Sequence, residues 1–326
     1  VVRIHGYGDL PDAELPVSVT PRDPQGVAEG RVSDVLEAAG FFEVISKSMV
    51  KPDHADLDEP SPERPRVSGD AAKTAYHDLR RSLLPGLLDL RRKNQNVGVD
   101  RAAIYEIAHA FRPRSERGRG NLPDEPTMLA ILADGESEED WRRFRGALEA
   151  VFGACDAEGA VTAAAAERSG FEPGATVVLS LGGRVIGHAG KVARATQKKF
   201  DLRRPVLMAE LELEPLVKAG LEAGAARTFK DLPRFPAIVR DLNIVIDQST
   251  LWRDIEQAVR AESIAELESL DYQSTYAKGL GEGKKSVTFS MSFRAPAGTL
   301  TREQADAFQQ RVLERLRKDL SAELRA

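Results

Sequence analysis

The sequence predicts an α+β protein built from two domains, the second a ferredoxin-like βαββαβ sandwich. Three observations carry that expectation. The chain has 326 residues, and at about 150 residues per domain that length accommodates two. Beyond Pro233 and Pro236 the pattern runs strand, helix, strand, strand, helix, strand, which is the split-βαβ order. Upstream of those prolines, segments with apolar residues at helical spacing are interleaved with β-rich runs.

Residues 1–22 read as a short helical tail and a proline-rich exit through Pro11, Pro16 and Pro21. The chain opens on Val1, and VVRIHGYGDLP reads as the end of an ongoing element, so a piece of a longer polypeptide is expected. Pro24, Gln25 and Gly26 lead into a helix of about fifteen residues with Val32, Val35, Leu36 and Ala39 at helical spacing. Gly40 ends it, because glycine enters the left-handed conformation of a C-cap without a Cβ penalty. FFEVISKSMV (41–50) is β-rich, and residues 51–70, with Pro, Asp and Glu but little that is apolar, read as a surface loop. From Leu79 the helical pattern returns through Leu83, Leu84, Leu87, Leu88 and Leu90, with Pro85 near its start, where a missing N–H is tolerated. Residues 101–112 alternate as a strand does, 112–126 form a basic turn, and TMLAILA (127–133) is a buried strand. Residues 137–153 form an amphipathic helix holding Trp141, Phe144, Leu148 and Phe152. Strands are expected at 176–181, 183–188 and 206–213, with 201–205 in a polar loop and the glycines of GGRVIGHAG (182–190) marking a hairpin.

The second domain is more legible. AIVRDLNIVID (237–247) is a strand. Ser249 or Thr250 is expected to cap the helix LWRDIEQAVRA, with Leu251, Ile255 and Val259 on one face. IAELESLDYQSTY (264–276) is a strand and GLGEGKK (279–285) a glycine turn. KSVTFSMSFRA alternates with period two: Val287, Phe289, Met291 and Phe293 face one way, Ser286, Thr288, Ser290 and Ser292 the other. Thr301 caps a helix with Phe308, Val312, Leu316 and Leu320 on its core face, and AELRA closes the chain as a short strand.

Composition narrows the function classes. There are 46 Lys and Arg against 51 Asp and Glu, a net charge of −5. That excludes a uniformly basic, histone-like protein while leaving room for a local nucleic-acid patch. A lone cysteine, Cys155, excludes an intrachain disulfide framework and a multi-cysteine zinc module, and suits a reducing cytoplasm. No apolar run approaches the roughly 18 residues that span a bilayer, so no membrane partner is expected. The five histidines, His5, His54, His77, His109 and His188, are scattered without metal-ligand spacing.

FPAIVRDLNIVID, GLGEGKKSVTFSMSFRAPAGTLT and the closing helix with ELR resemble the ferredoxin-fold anticodon-binding domain of the bacterial phenylalanine–tRNA ligase β subunit. GFFEVISKSMV, RRSLLPGLLDLRRKN, YEIAHAF and FEPGATVVL are similar to that subunit's catalytic-like domain, and RIHGYGDLP to the end of the small domain before it. Residues 65–80 depart from the family's usual Asn-Pro-containing strand. The resemblance implies three segments: 1–22, the tail of a preceding small domain; 23–230, an inactive class II synthetase-like antiparallel sheet domain; and 231–326, the anticodon-binding domain. It further implies an (αβ)₂ heterotetramer that uses ATP and magnesium to join phenylalanine to its tRNA. The active site then lies on α, no cofactor is held by this chain, and the editing site and magnesium ligands lie upstream of Val1.

The residues agree with that division of labour. Phe111–Arg112 is the nearest imitation of the class II arginine that holds the ATP α-phosphate, but Arg114 stands where a glutamate is needed. Neither Phe144–Arg145 nor Phe293–Arg294 supplies it, and Gly-x-Gly-x-x-x-Arg does not occur. GLGEGKKS fails the phosphate-loop spacing, since Lys285 follows Gly283–Lys284 where Ser or Thr is required. Residues 231–326 carry 14 basic against 15 acidic residues, so any RNA contact rests on local clustering. Lys284 and Arg294 share the parity of the Ser/Thr face, Lys285 adjoins them, and Arg240, Tyr272 and Tyr276 complete the candidate tRNA-binding set, the tyrosines as stacking platforms for unpaired bases. Arg311, Arg315 and Lys318 offer a second basic face. RRSLLPGLLDLRRKN reads equally as a helix at an α–β interface and as a core helix with basic ends. A second function class is a ferredoxin-like amino-acid-sensing regulatory module, disfavoured by the lack of a glycine-rich ligand loop after the first strand of 231–326.

Overall fold

The computed structural model describes residues 2–6, 8, 23–50, 57, 78–113, 122–225, 231–277 and 279–325. Its contacts divide the chain into two compact units, Val1–Arg227 and Thr228–Ala326. The proline exit after Gly8, the loop 51–70 apart from Leu57, most of 65–80, Arg114 and two histidines, His54 and His77, lie outside the described residues.

The first unit contains, in chain order, α1 (Val2–His5), α2 (Pro24–Ala38), β1 (Phe42–Glu43), β2 (Met49–Val50), β3 (Asp78–Leu79), α3 (Leu84–Asn96), β4 (Ala103–His109), β5 (Thr127–Asp134), α4 (Glu138–Ala154), β6 (Val161–Ala165), β7 (Phe171–Leu181), β8 (Arg184–Val192), α5 (Arg194–Lys199), β9 (Val206–Glu212) and α6 (Leu213–Ala225). Seven strands form one sheet in the order β1-β4-β5-β9-β8-β7-β6. Its neighbours are antiparallel except β1 and β4, which run parallel.

Helices cover both faces, so the central strands β5 and β9 are apolar along nearly their whole length. Leu129, Ile131, Leu207, Ala209 and Leu211 face α2, α4 and α6. Met128, Ala130, Leu132, Val206 and Met208 face the leucines of α3. Asp23 starts α2, its carboxylate accepting from the Gln25 and Gly26 N–H groups, and Gly40 ends it at φ +86° as expected. Ser137 and Asp140 form a reciprocal capping box on α4. The Ser137 backbone N–H, with further help from Ser137 Oγ, the Glu136 N–H and Arg101, lowers the Asp140 pKa to about 2.

Several expectations change. The segment from Leu79 does not start the helix. Asp78 and Leu79 pair with Val50 and Met49 in a two-stranded sheet, and α3 begins at Leu84. The strands expected at 176–181 and 183–188 extend to 171–181 and 184–192. β6 escapes notice because VTAAA is mostly exposed and lacks alternation. α6, which begins where the expected strand 206–213 ends, was not expected, and its Gly220 is required: a Cβ there would sit 1.7 Å from the Cys155 carbonyl oxygen. RRSLLPGLLDLRRKN is a core helix, with Leu83, Leu84, Leu87 and Leu88 all inaccessible.

The second unit contains β10 (Ile238–Asp247), α7 (Trp252–Ala261), β11 (Leu267–Tyr276), β12 (Lys284–Phe293), α8 (Arg302–Leu320) and β13 (Glu323–Leu324). The sheet order is β11-β12-β10-β13, antiparallel throughout. Leu242, Ile244 and Ile246 of β10 and the odd-numbered apolar residues of β12 pack against Ile255 and Val259 of α7 and Val312 and Leu316 of α8. Thr301 caps α8 as expected, with Gln304 reciprocating.

The cap of α7 is a correction. Neither Ser249 nor Thr250 performs it: the Ser249 N–H and Oγ turn back to Asp247 Oδ1, and the helix begins after Leu251, whose N–H donates to Asp254 Oδ2 at 2.8 Å. Leu251 is therefore exposed, not part of the core face. Among the described residues no helix is long and apolar enough to cross a membrane.

Candidate nucleic-acid interface

The strand register decides which residues of the second unit share a surface. Ile238, Arg240, Leu242, Ile244 and Ile246 lie on the helix-covered face of β10, so Val239, Asp241, Asn243, Val245 and Asp247 lie on the other, open face. Ser286, Thr288, Ser290 and Ser292 of β12 stand opposite Val245, Asn243, Asp241 and Val239 and share the open face with them. That face is a polar lattice: Ser286 Oγ donates to Asn243 Oδ1 at 2.5 Å, Ser290 Oγ to Asp241 Oδ1 at 2.5 Å, and Gln273 Nε2 to Ser290 Oγ at 3.2 Å.

β11 does not alternate simply. Its register against β12 shifts between Leu267 and Ser269 and again between Tyr272 and Ser274. A bulge inverts the alternation beyond it. Tyr272 therefore opposes buried Phe289 and meets the Trp252 ring edge-on, 5.5 Å between centroids. Tyr276 opposes Ser286 and joins the open face. The two tyrosines, which share sequence parity, stand on opposite sides of the sheet.

The six candidates divide accordingly. Tyr276 and Lys284 are brought to the open side, while Arg294 follows the last residue of β12. Arg240 is on the helix side, its Nε donating to Asp306 Oδ1 of α8 at 2.8 Å. Lys285 is also on the helix side, opposite Ile246. Both lysines belong to β12 and not to the turn assigned to them from sequence; Gly279 and Gly283, with positive φ, make the turn that precedes them. Arg294 is already engaged, its Nε donating to both Glu268 carboxylate oxygens at 2.9 and 3.0 Å and its Nη1 to the Phe235 carbonyl. The Ser249 hydroxyl and N–H, with a smaller contribution from the charges of Lys284 and Lys285, lower the Asp247 pKa. On α8, Arg311 is paired with Glu262 and Arg315 with Asp319.

One residue of this face was missed. The Arg325 N–H donates to the Asn243 carbonyl, which extends the β13 pairing, and its guanidinium reaches across the sheet to lie 5.6 Å from the Tyr276 ring centroid. The signal was available in the closing strand, where Arg325 follows Glu323 by two and so shares its open-face parity.

The seven-stranded sheet of the first unit is instead covered by helices on both faces. The α3-facing side is filled by leucines and by ion pairs that are already complete. Arg80 Nη1 donates to Glu106 at 2.8 Å, and the Ser46 N–H and Oγ donate to the same carboxylate. Glu210 accepts from the Ser82 hydroxyl and the Leu83 N–H. Arg112 donates to Glu212. Among the described residues no group of three or more His, Cys, Asp or Glu side chains is placed to hold a metal ion. Burial pushes the Cys155 thiol up to about 11, which removes it as a nucleophile.

The comparisons with known proteins agree with this architecture. Residues 10–213 match the family described as phenylalanyl tRNA synthetase beta chain CLM domain. The chain belongs to the phenylalanine–tRNA ligase β subunit family. Residues 233–325 match the ferredoxin-fold anticodon binding domain. Among named relatives, the phenylalanine–tRNA ligase β subunit of Symbiobacterium thermophilum is 33% identical over 100% of this chain and 38% of its own length. That of Geobacillus kaustophilus is 32% identical over 100% of this chain and 41% of its own. The chain thus spans about two fifths of the length of these β subunits. Among solved structures, the pyrrolysyl-tRNA synthetase of Desulfitobacterium hafniense superposes on 64% of this chain and 72% of its own with a TM-score of 0.51 and 20% identity, a likeness of fold.

Proposed function

We propose that this chain serves phenylalanine–tRNA ligase as a segment for tRNA recognition and subunit assembly. In this reading the α subunit of an (αβ)₂ heterotetramer carries the active site, with its ATP and magnesium. The open sheet face of residues 231–326 receives the anticodon region of phenylalanine tRNA, in the cytoplasm. The observation that carries the reading is Tyr276: a half-exposed aromatic ring on a polar open sheet, with the Arg325 guanidinium beside it and Lys284 on the same face. Unpaired bases stack on such rings, and clustered cations hold the adjoining phosphates.

Replacing Tyr276 by Ala is expected to weaken binding to an anticodon stem-loop by about 1–3 kcal/mol. Lys284→Ala should lower the salt slope of binding by about one unit without changing base preference. Arg294→Ala should lower it less, because Glu268 already neutralises that guanidinium. Stem-loop affinities of the wild-type chain and single variants at several salt concentrations measure all three. An unchanged affinity in Tyr276→Ala would move the RNA off this face.

The chain itself is expected to activate no phenylalanine. A class II site needs guanidiniums free to meet phosphate charge as it develops. Here Arg80 and Arg112 are committed to Glu106 and Glu212. Phenylalanine-dependent ATP–pyrophosphate exchange by the purified chain checks this; exchange above background would overturn it.

A further inference from the structure

We propose that the first unit carries a second RNA-contacting site, a recess of about 640 Å³ where β7, β8, α5 and the loop into β9 meet, which takes the phosphodiester backbone of the tRNA outside its anticodon arm. The proposal rests on the reading of the chain as tRNA-binding, and uses none of the residues of the open sheet face.

Four cations, Lys191, Arg194, Lys198 and Arg203, line the recess against two carboxylates, Glu172 and Asp201. Within residues 191–204 there are six basic residues and one acidic, in a chain whose net charge is −5. Glu172 is occupied by Lys191 at 2.9 Å. Arg194, Lys198 and Arg203 are exposed, and none has a carboxylate within ion-pairing distance among the described residues. Elsewhere in this unit arginines such as Arg80, Arg91, Arg112, Arg184 and Arg204 are paired.

The floor is fixed before any ligand arrives. Gln95 of α3, itself buried, clamps the loop on both sides of Leu202: its Nε2 donates to the Asp201 carbonyl and its Oε1 accepts from the Arg203 N–H. Gln197 donates to the Val192 carbonyl at 2.7 Å, which ties α5 to the end of β8. Asp201 turns the chain at φ +52°. Lys191 is therefore presented from β8, Arg194 and Lys198 from the anchored α5 and Arg203 from a clamped loop, so little backbone ordering entropy opposes binding.

The lining also selects the ligand class. Only Leu202 and Pro205 are apolar among the nine lining residues, whereas small-molecule sites are predominantly apolar and enclose their ligand. An open, cationic recess without an exposed aromatic ring suits a polyanion held by its phosphates, with no reading of bases.

The test compares two RNAs, a full-length phenylalanine tRNA transcript and its isolated anticodon stem-loop, against the wild-type chain and an Arg194→Ala/Lys198→Ala/Arg203→Ala variant, with inorganic phosphate as competitor. The variant is expected to bind the stem-loop as wild type does. For the full tRNA its salt slope should fall by about two to three units, close to one for each phosphate that the variant no longer neutralises. Equal slopes for the full tRNA would overturn the site and leave the open-face reading standing. So would displacement of the full tRNA to stem-loop affinity by low millimolar phosphate, which would mark a small-anion pocket. A wild-type chain that binds neither RNA would overturn both readings. Reversed selectivity, in which the variant loses the stem-loop alone, would overturn the division between the two sites.

Discussion

Replacing Arg91 by Met should destabilise the first unit by about 3–5 kcal/mol. Arg91 and Asp134 each expose 2% of their side chains. The pair is bidentate, Nε to Oδ1 at 2.9 Å and Nη2 to Oδ2 at 3.1 Å. Nη2 also donates to the Asp100 carbonyl at 2.9 Å, and Asp134 Oδ2 also accepts from the Ala102 N–H at 2.8 Å. Removing the guanidinium strands a carboxylate away from water with one backbone donor left. The gain from the intact pair is small, since desolvation offsets much of the attraction; the loss on breaking it is large. A double variant, Arg91→Met with Asp134→Leu, should recover most of the stability, short of the roughly 1–3 kcal/mol for the Ala102 N–H left unsatisfied. Urea midpoints of the three chains measure this. A single variant no less stable than the double would show that the cost lies in impaired packing and not in the stranded charge.

Phe289→Ala should cost the second unit a similar ~3–5 kcal/mol. Phe289 is inaccessible at the middle of β12 and meets the Trp252 ring edge-on at 5.6 Å. The chain has two tryptophans, Trp141 in the first unit and Trp252 in the second. In a Trp141→Phe background, Trp252 fluorescence reports the second unit alone. The expected result is an unfolding midpoint shifted to lower urea and a Trp252 emission shifted to the red in the native chain, as its aromatic neighbour is removed. A midpoint within about 1 kcal/mol of the parent would mean that the neighbouring side chains close the cavity.

The second unit was legible because its signals agree at every level. Val287 through Phe293 alternate without interruption, Thr301 is followed by Gln304 at capping-box spacing, and Gly283 stands where a positive φ is needed. In the first unit the continuous apolar runs MLAIL and VLMAEL were still legible as buried strands, whereas β6, mostly exposed and without alternation, was not. The helices α5 and α6 were hidden for another reason. One is six residues long, and the other carries glycine where the Cys155 carbonyl leaves no room for a side chain.

The candidate site was half legible. Counting by two placed Lys284 on the Ser/Thr side correctly, because β12 is regular. The same count failed for the tyrosines, because nothing in LESLDYQSTY announces a bulge. It also gave no warning that Arg240 would be taken up by Asp306 or Arg294 by Glu268, since those contacts join residues 66 and 26 positions apart. The clamp of Gln95 on the loop 201–203 spans 106 positions and was equally out of reach.

The paired register shifts of β11 act like a compensated frameshift. The first changes the reading of the strand and the second restores it, so only the stretch between them, Ser269 to Tyr272, is read in the altered frame. Leu267 and Thr275, outside that window, obey one rule of alternation; Leu270 and Tyr272, inside it, obey the opposite one. Length changes in this strand are consequently tolerated only as compensating pairs. A lone insertion or deletion before Tyr276 would leave the strand hydrogen-bonded along its length and turn the aromatic ring toward the helices. Which side chains the open face presents is in this sense set by a count of residues, whatever their identity.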